Sequence, residues 1–257
     1  MKRWLFLFLF FTLTIHLFSQ ETHIFTDDIK TLRIAVDGQE QRFPILQMRK
    51  GEQLNISFDD LTHDYRRYFY RIEHCTYDFK TSTQLFESEY LTSPSNEEVI
   101  TNYQQSFNTA ILYTHYSFSF PNASMQPLLS GNYRLSILRT SETGEPERVV
   151  ETYFAIVEPL ALVSAIVSAN TEVDYRDSHQ QVSLNVDASN LQGLDYPQEE
   201  IKTYVLQNRR WDNVVQNPPY TSQMGNRFLW EHSKDLIFDA GNEYRKFEML
   251  STRHATM

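Results

Sequence analysis

Residues 102–121 read NYQQSFNTAILYTHYSFSFP, and this stretch decides the fold. Its SFNT segment (106–109) predicts a turn that runs into a long strand. From residue 116 to residue 120 aromatic residues alternate with serines, so one face of the strand is apolar and the other is polar. Pro121 ends the strand because it cannot donate a backbone hydrogen bond. The turn and strand carry five aromatic residues: Phe107, Tyr113, Tyr116, Phe118 and Phe120. The pattern predicts the centre of a β-sandwich.

The sequence on either side predicts further strands separated by turns. In the first half we expect them at 31–36, 43–48, 53–58, 68–77, 132–139 and 148–157. In the second half we expect them at 161–167, 181–186, 201–207, 227–230, 236–238 and 246–250. No segment keeps a helical period of 3.6 residues, so we predict an all-β protein with little or no helix.

Two domains are expected, because 257 residues give room for both. The strand before Pro159 ends at Glu158, since the residue before proline is pushed towards extended geometry. We therefore predict two tandem antiparallel β-sandwiches of Ig-like type, at 20–158 and 159–257. The second shows about six weak strands where a sandwich of its length has ~7. We expect this second domain to be incomplete.

The first 19 residues predict a secretory signal peptide. Lys2 and Arg3 precede an apolar run at 4–13, which is shorter than the ~20 residues that span a membrane. We expect cleavage near Ser19, after which the net charge changes from -10 to -12. The mature chain is expected to have no transmembrane helix.

Composition argues against several classes of function. The chain is acidic and carries no basic cluster, so we do not expect nucleic-acid binding. Cys75 is the only cysteine, so an internal disulfide is excluded and a buried, apolar role is expected for it. Nucleophile, metal and phosphate-loop motifs are missing from the sequence. His74 and Cys75 are neighbours on a predicted strand and point to opposite faces, so they do not form a catalytic dyad. We predict a protein that is not an enzyme and binds no cofactor or metal.

Binding is the remaining class, and two forms of it stay open. Aromatic residues make up 14% of the chain, and exposed rings suit a protein partner or a sugar. A carbohydrate-binding sandwich would use Trp211 and Trp230. A protein-binding sandwich would use the long connection at 81–99, where we predict Tyr90 and Leu91 as partner contacts because long loops often carry function.

Several segments together resemble the type IX secretion system plug protein family. The first domain of that family is matched by FPIL (43–46), LNISFDDL (54–61), YFYRIEHC (68–75), EYL (89–91), SFNT…YTHY (106–116) and SGNYRLSIL (130–138). The second domain is matched by LQNRRWDN (206–213) and AGNEYRKFE (240–248). The residues that carry the motifs are Asp59, Tyr68, His74, Cys75, Asn108, Tyr113, His115, Tyr116, Gly131, Asn132, Tyr133, Gln207, Asn208, Trp211, Gly241, Asn242, Glu243 and Arg245.

The resemblance implies a function as well as a fold. It implies an exported protein of Bacteroidota-type bacteria that faces the periplasm at the inner face of the outer membrane. There it would bind the giant outer-membrane β-barrel translocon and close its periplasmic opening, without catalysis or cofactor. We expect the motif residues to determine the fold. Gly131 would serve turn geometry, and Asn108 would bond to the backbone of its own turn.

Overall fold

The computed structural model describes residues 22–93, 95–141 and 143–241. The chain divides into two compact units between Glu158 and Pro159. The predicted signal peptide, the strand expected at 246–250, and the motif residues Asn242, Glu243 and Arg245 lie outside the described residues.

The first unit is built from ten strands and one helical turn among the residues that the structure describes. The strands are β1 (His23–Ile24), β2 (Ile29–Val36), β3 (Ile45–Gln47), β4 (Leu54–Asp60), β5 (Tyr68–Cys75), β6 (Glu98–Val99), β7 (Asn102–Gln105), β8 (Thr114–Phe120), β9 (Gly131–Thr140) and β10 (Pro146–Val157). The helical turn α1 is Glu87–Tyr90. Each strand that the first half of the sequence predicts corresponds to one of these observed strands.

The strands of the first unit form two sheets. One has the order β1-β10-β9-β5-β6, with β3 also paired to β10, and the other has the order β2-β4-β8-β7. Pairing is antiparallel throughout the described strands of this unit, except that β3 runs parallel to β10. The prediction of an all-β, antiparallel fold is therefore confirmed.

Alternation along the strands builds one core between these two sheets. Along β4, Leu54, Ile56 and Phe58 are fully buried while the residues between them are half-buried. The ring of Phe58 lies 5.1 Å from that of Tyr68 on β5 and 5.3 Å from that of Tyr116 on β8. Aromatic contacts of this kind add to the burial of their apolar surface. Because β5 belongs to the first sheet and β4 and β8 to the second, the contacts identify a β-sandwich.

The central stretch differs from its prediction at its beginning. Residues 102–105 form a strand of their own, β7, which pairs with β8 as a hairpin. The long predicted strand is therefore only β8, and Phe107 and Tyr113 lie in the hairpin loop. Tyr116 and Phe120 face the core, as the alternation predicts, while Phe118 is only partly buried.

The connection at 81–99 differs more from its prediction than the central stretch does. Its helical turn α1 begins after Phe86, whose backbone N–H donates to Glu89 Oε2 at 2.7 Å. Tyr90 is 5% exposed and Leu91 is 1% exposed, and both belong to the core of the unit. The prediction that these two side chains contact a partner needed them on the surface, and the structure corrects it: the connection folds inwards because they are apolar.

The second unit is described to residue 241 and is also mostly β. Its strands are β11 (Leu162–Ser168), β12 (His179–Asp187), β13 (Tyr204–Val205), β14 (Val215–Gln216), β15 (Ser222–Met224), β16 (Arg227–Trp230) and β17 (Ile237–Asp239). A helical turn α2 (Pro197–Glu200) and a 3-10 turn (Lys234–Leu236) complete it. One sheet has the order β11-β12-β16-β15 with β17 also on β12, and β13 pairs with β14. Its small core contains Phe228, Trp230 and Leu236.

Candidate functional site

The most exposed apolar segment of the first unit is the hairpin loop between β7 and β8. We call residues 106–113 the apolar loop. Its side chains of Phe107, Ile111 and Leu112 are 83%, 65% and 47% exposed. Large exposed apolar patches mark interaction surfaces more often than isolated exposed residues do. Three such side chains on one short loop make it the candidate contact surface.

The loop is held in shape by hydrogen bonds within it. The Ser106 N–H donates to the Tyr113 carbonyl at 2.8 Å, and the Tyr113 N–H donates to Ser106 Oγ at 2.8 Å. Thr109 Oγ1 donates to the Ile111 carbonyl at 2.7 Å and lies 3.1 Å from Ser106 Oγ. Asn108 lies at φ +56°, a left-handed conformation that asparagine tolerates better than most residues. These bonds hold the turn that presents the apolar side chains.

The segment at 61–67 supports the apolar loop from one side. His63 Nε2 lies 3.1 Å from the Ser106 carbonyl, and Gln105 Nε2 donates to the His63 carbonyl at 2.7 Å. Two half-exposed rings lie beside this contact, Tyr65 and Tyr103, with centroids 4.7 Å apart. The surface at this end of the hairpin therefore offers aromatic as well as aliphatic groups.

A polar pair lies at the base of the apolar loop. His115 Nδ1 is 2.6 Å from Asp59 Oδ1, across the β4–β8 pair. The His115 side chain is 44% exposed and lines an open depression together with Phe107 and Tyr113. The motif residues Asp59 and His115 thus belong to the outer surface, next to the candidate contact surface.

Other motif residues of the first unit are buried and serve the fold. The Tyr68 hydroxyl donates to Asp60 Oδ2 at 2.8 Å, and Asp60 is fully buried. The Tyr116 hydroxyl accepts from the Arg66 N–H at 2.8 Å and donates to the Arg66 carbonyl at 3.0 Å. The Tyr133 hydroxyl donates to the Leu129 carbonyl at 2.6 Å. Each ring fills the core while its hydroxyl finds a partner, as buried tyrosines require.

The carboxylate of Asp28 bonds to two arginines, one of which, Arg66, also lies near the buried Asp60. Its Oδ2 accepts from Arg66 at 2.5 Å and from Arg139 at 2.6 Å. Burial alone would raise the pKa of Asp28, but the hydrogen bonds from Arg139 and Arg66 oppose burial and help to hold the pKa below its ordinary value. The negative charge of Asp28 is therefore paired with the two arginines, which indicates an ion cluster that serves the fold.

His74 and Cys75 are not paired with one another. His74 Nδ1 lies 2.8 Å from Ser82 Oγ, while the Cys75 thiol is directed at the Glu73 carbonyl 3.7 Å away. Cys75 is 2% exposed, and burial raises the pKa of its thiol to about 11. A thiol with so high a pKa is a poor nucleophile at neutral pH.

The motif residues of the second unit lie mainly in its surface turns. Gln207 Nε2 donates to the Asp239 carbonyl at 2.7 Å, which ties its turn to the end of β17. Asn208 lies in the same turn at φ +54°, and the ring of Trp211 meets that of Tyr204 edge-on at 6.0 Å. Gly241 is exposed at the end of the described residues.

Trp211 and Trp230, the tryptophans in the described part of the chain, do not form a flat platform for a sugar. Trp230 is 2% exposed, and its indole N–H donates to the Pro218 carbonyl at 2.7 Å. Stacking on a sugar ring needs an exposed aromatic face, and Trp230 has none to offer. The carbohydrate alternative therefore loses one of its two tryptophans.

Among the residues that the structure describes, one Ser–His–Asp set occurs, at the start of β12. Ser178 Oγ and Asp174 Oδ2 lie 3.0 Å and 2.7 Å from the same ring nitrogen, His179 Nδ1. A catalytic triad needs the serine and the aspartate on opposite nitrogens, so this arrangement does not activate the serine. In the described ranges no three His, Cys, Asp or Glu side chains converge as metal ligands. The described helices are all too short to cross a membrane.

Sequence reasoning missed Ile111 and Leu112. The signal was present in the apolar triplet AIL at 110–112, which falls inside a turn between two strands, where polar residues are usual. An apolar run at a hairpin tip is a reason to expect a contact surface. The sequence pattern assigns this triplet to the long strand instead.

One family model and a solved structure are similar to this chain. The family model described as "Type 9 secretion system plug protein 1st domain" matches residues 29–158, which is just over half of the chain and includes the apolar loop. Among curated proteins no match is found. A crystal structure of a hypothetical protein from Parabacteroides merdae is similar, with 35% identity and a TM-score of 0.83. The match covers 92% of this chain and 58% of that one, so this chain spans little more than half of that protein's length. The chain belongs to the type 9 secretion system plug protein family.

Proposed function

We propose that this chain is a non-enzymatic plug subunit, which binds the giant outer-membrane β-barrel translocon of the type IX secretion system and closes its periplasmic opening. It is exported and works in the periplasm, at the inner face of the outer membrane. The family match supports a role in this secretion machinery. The specific partner and the closing action are our proposal.

One observation carries the docking step: the apolar loop presents Phe107, Ile111 and Leu112 to solvent on a turn that is already ordered. Full burial of one such side chain stabilises a complex by about 1.5–3 kcal/mol. Because the turn is held by its own hydrogen bonds, docking does not have to order it first. We therefore propose that the apolar loop enters an apolar recess on the translocon.

The proposal is tested by affinity purification of the tagged protein from detergent-solubilised outer membranes, with mass spectrometry of the proteins retained. A barrel of very large mass should co-purify. Deleting the gene should make the cells leak a periplasmic reporter. Failure of both results would overturn the plug assignment. Retention on a polysaccharide column instead would favour the carbohydrate-binding alternative.

The docking surface is tested by the double variant Phe107→Asp/Ile111→Asp. We expect retention of the barrel to fall about 100-fold, because two buried apolar contacts are replaced by charges. Phe86 offers a matched control, since its side chain is 78% exposed on the same unit but lies outside the apolar loop. Phe86→Asp should leave retention unchanged. Equal loss in both variants would refute the apolar loop as the contact.

A further inference from the structure

A small pocket in the second unit takes no part in the proposed function. It holds about 230 Å³ and is lined by residues of α2 and of the segment 217–220 between β14 and β15. Sites for whole small molecules usually have about 300–1,000 Å³. The pocket therefore matches one anchoring side chain of a partner better than a complete cofactor. Its apolar walls include Pro197, Ile201, Pro218, Pro219, Tyr220 and Trp230.

Hydrogen bonds hold the walls of the pocket in place. The Asn217 N–H donates to the Thr203 carbonyl at 2.8 Å, and Asn217 Oδ1 accepts from the Thr203 N–H at 3.0 Å. The Trp230 indole N–H donates to the Pro218 carbonyl at 2.7 Å. The three prolines in the walls also have a fixed φ. Because the walls are already ordered, a ligand does not have to order them on binding.

Aromatic rings form one side of the pocket. The ring of Tyr220 meets that of Trp230 edge-on, with centroids 6.1 Å apart, and lies 5.2 Å from that of Phe228. Trp230 and Phe228 are buried, whereas Tyr220 is half-buried, so the Tyr220 ring is the one that a ligand can reach. Aromatic-lined grooves recognise proline-containing segments, which are extended and largely ordered before they bind. A proline side chain therefore suits the pocket in size and in chemistry.

Polar groups of the pocket suit the backbone of such a segment. An extended polyproline segment makes no hydrogen bonds within itself, so its carbonyl groups need donors from outside. The pocket is also lined by Gln198, Thr203 and Asn217. Asn217 uses Oδ1 to accept from Thr203, which leaves its Nδ2 to donate. An amide or hydroxyl donor at these three positions can replace the water that solvates the peptide carbonyls.

The charges around the pocket define the partner further. Glu199 and Glu200 belong to α2, and Glu231 directly follows Trp230 in the chain; all three are exposed. Lys202 is the only basic residue in the segment 195–202. Positive side chains on a partner are attracted to such a surface. We propose that the pocket binds an extended, proline-containing segment of a protein partner, which carries Lys or Arg beside the proline anchor.

Titration of the full chain with peptides tests this proposal. The probe is the peptide KPPLPPK, and EPPLPPE and KGGSGGK are the controls for charge and for proline. Binding is followed by the NMR signal of the Trp230 indole N–H, with the Trp211 indole as the internal reference. We expect KPPLPPK to shift the Trp230 signal saturably and to bind about tenfold more tightly than either control. No shift of the Trp230 signal, or equal binding of a control peptide, overturns the proposal.

A variant of the aromatic wall locates the binding. Tyr220→Ala should weaken the binding of KPPLPPK about tenfold, because an aromatic anchor contact is lost. Tyr175→Ala is the matched control, since Tyr175 is 71% exposed on the same unit but does not line the pocket. It should bind the peptide like the parent. An equal loss in both variants refutes the pocket as the site.

A charge variant on the surface gives an answer even where Tyr220→Ala fails to fold. Glu199→Lys should weaken the binding of KPPLPPK about threefold, because an attraction becomes a repulsion. Asp177→Lys makes the same change of charge at an exposed position of the same unit that does not line the pocket. It should leave the affinity unchanged. Equal affinities of the two variants contradict the proposed role of the acidic surroundings.

Other occupants of the pocket give different results. If the Trp230 signal shifts with protein concentration in the absence of peptide, the occupant is a second copy of the chain. If chitotetraose shifts this signal and KPPLPPK does not, the occupant is a sugar. Either result overturns the peptide proposal. Retention of the barrel tests the plug assignment separately, so that assignment stands or fails independently of this pocket.

Discussion

Gly131 lies against the imidazole of His74 so closely that a Cβ at this position would be 2.5 Å from His74 Nε2. Its φ of +146° is also a conformation that side chains rarely adopt. The imidazole has little room to move, because it packs edge-on against Tyr133 with centroids 5.1 Å apart and is bonded to Ser82. A glycine is therefore required here twice over, by backbone conformation and by space.

Gly131→Ala should destabilise the first unit by about 3 kcal/mol, measured by urea unfolding. The backbone strain and the overlap with the His74 ring both contribute. Gly51→Ala is the control, because Gly51 has φ +76° but nothing within 4 Å of its added Cβ. It should cost about 1 kcal/mol.

A double-mutant cycle separates the two contributions. In a His74→Ala background the overlap is gone, so Gly131→Ala should cost about 1–2 kcal/mol less than in the parent. Strictly additive effects would show that the close approach to His74 contributes nothing.

Stability should depend on pH through His74. Burial disfavours the charged imidazolium and lowers the pKa of His74, although the Ser130 carbonyl acts in the opposite direction. The unfolded chain then takes up a proton before the folded chain as pH falls. The contribution of this histidine is fully present above its ordinary pKa of about 6.5 and is lost below that value.

His74→Gln should therefore lose less free energy of unfolding than the parent between pH 7 and pH 5. Asp174 raises the pKa of His179 in the second unit. The contribution of His179 to stability therefore grows as pH falls, which is opposite to the effect of His74. His179 is present in both proteins, so its effect cancels in the comparison. A parallel pair of pH profiles would contradict the prediction.

Tyr68→Phe should destabilise the first unit by about 1–3 kcal/mol, because it removes a hydrogen bond from a fully buried carboxylate. Asp60 keeps its bonds from Thr62 but loses the one from the Tyr68 hydroxyl. Tyr153→Phe removes the bond from the half-buried Tyr153 to Glu151, and it should cost less because Glu151 keeps its ion pair with Arg148. Calorimetry of the three proteins gives the ranking, and a reversed order would disprove it.

Cys75 should not react with a thiol reagent such as DTNB in the native protein. It is buried and its pKa is raised to about 11, so almost no thiolate is available at pH 8. One thiol should appear on addition of denaturant, since the chain has a single cysteine. Rapid labelling of the native protein would show that β5 opens locally.

Strand periodicity predicted the sandwich because side chains alternate wherever one face is buried, as at Leu54, Ile56 and Phe58. The expectation that a long connection carries function failed for Tyr90 and Leu91, because the composition of a connection does not reveal whether it folds back onto the core. Strand periodicity also failed for Ile111 and Leu112, because an apolar pair at a hairpin tip looks like part of the adjoining strand. Gly131 was expected to serve a turn, while its close approach to His74 depends on tertiary packing that no local pattern encodes.

Ser106→Ala should weaken docking without unfolding the protein. The Ser106 hydroxyl accepts from the Tyr113 N–H and contacts the Thr109 hydroxyl, so its loss loosens the apolar loop and adds an ordering cost to binding. We expect the affinity for the translocon to fall about 5- to 10-fold, measured on the detergent-solubilised barrel, with the melting temperature nearly unchanged. Ser119→Ala is the control, because Ser119 accepts a bond from Asn55 on the same unit but outside the apolar loop. If both variants bind like the parent, the preorganised turn is not what makes the apolar loop a docking surface.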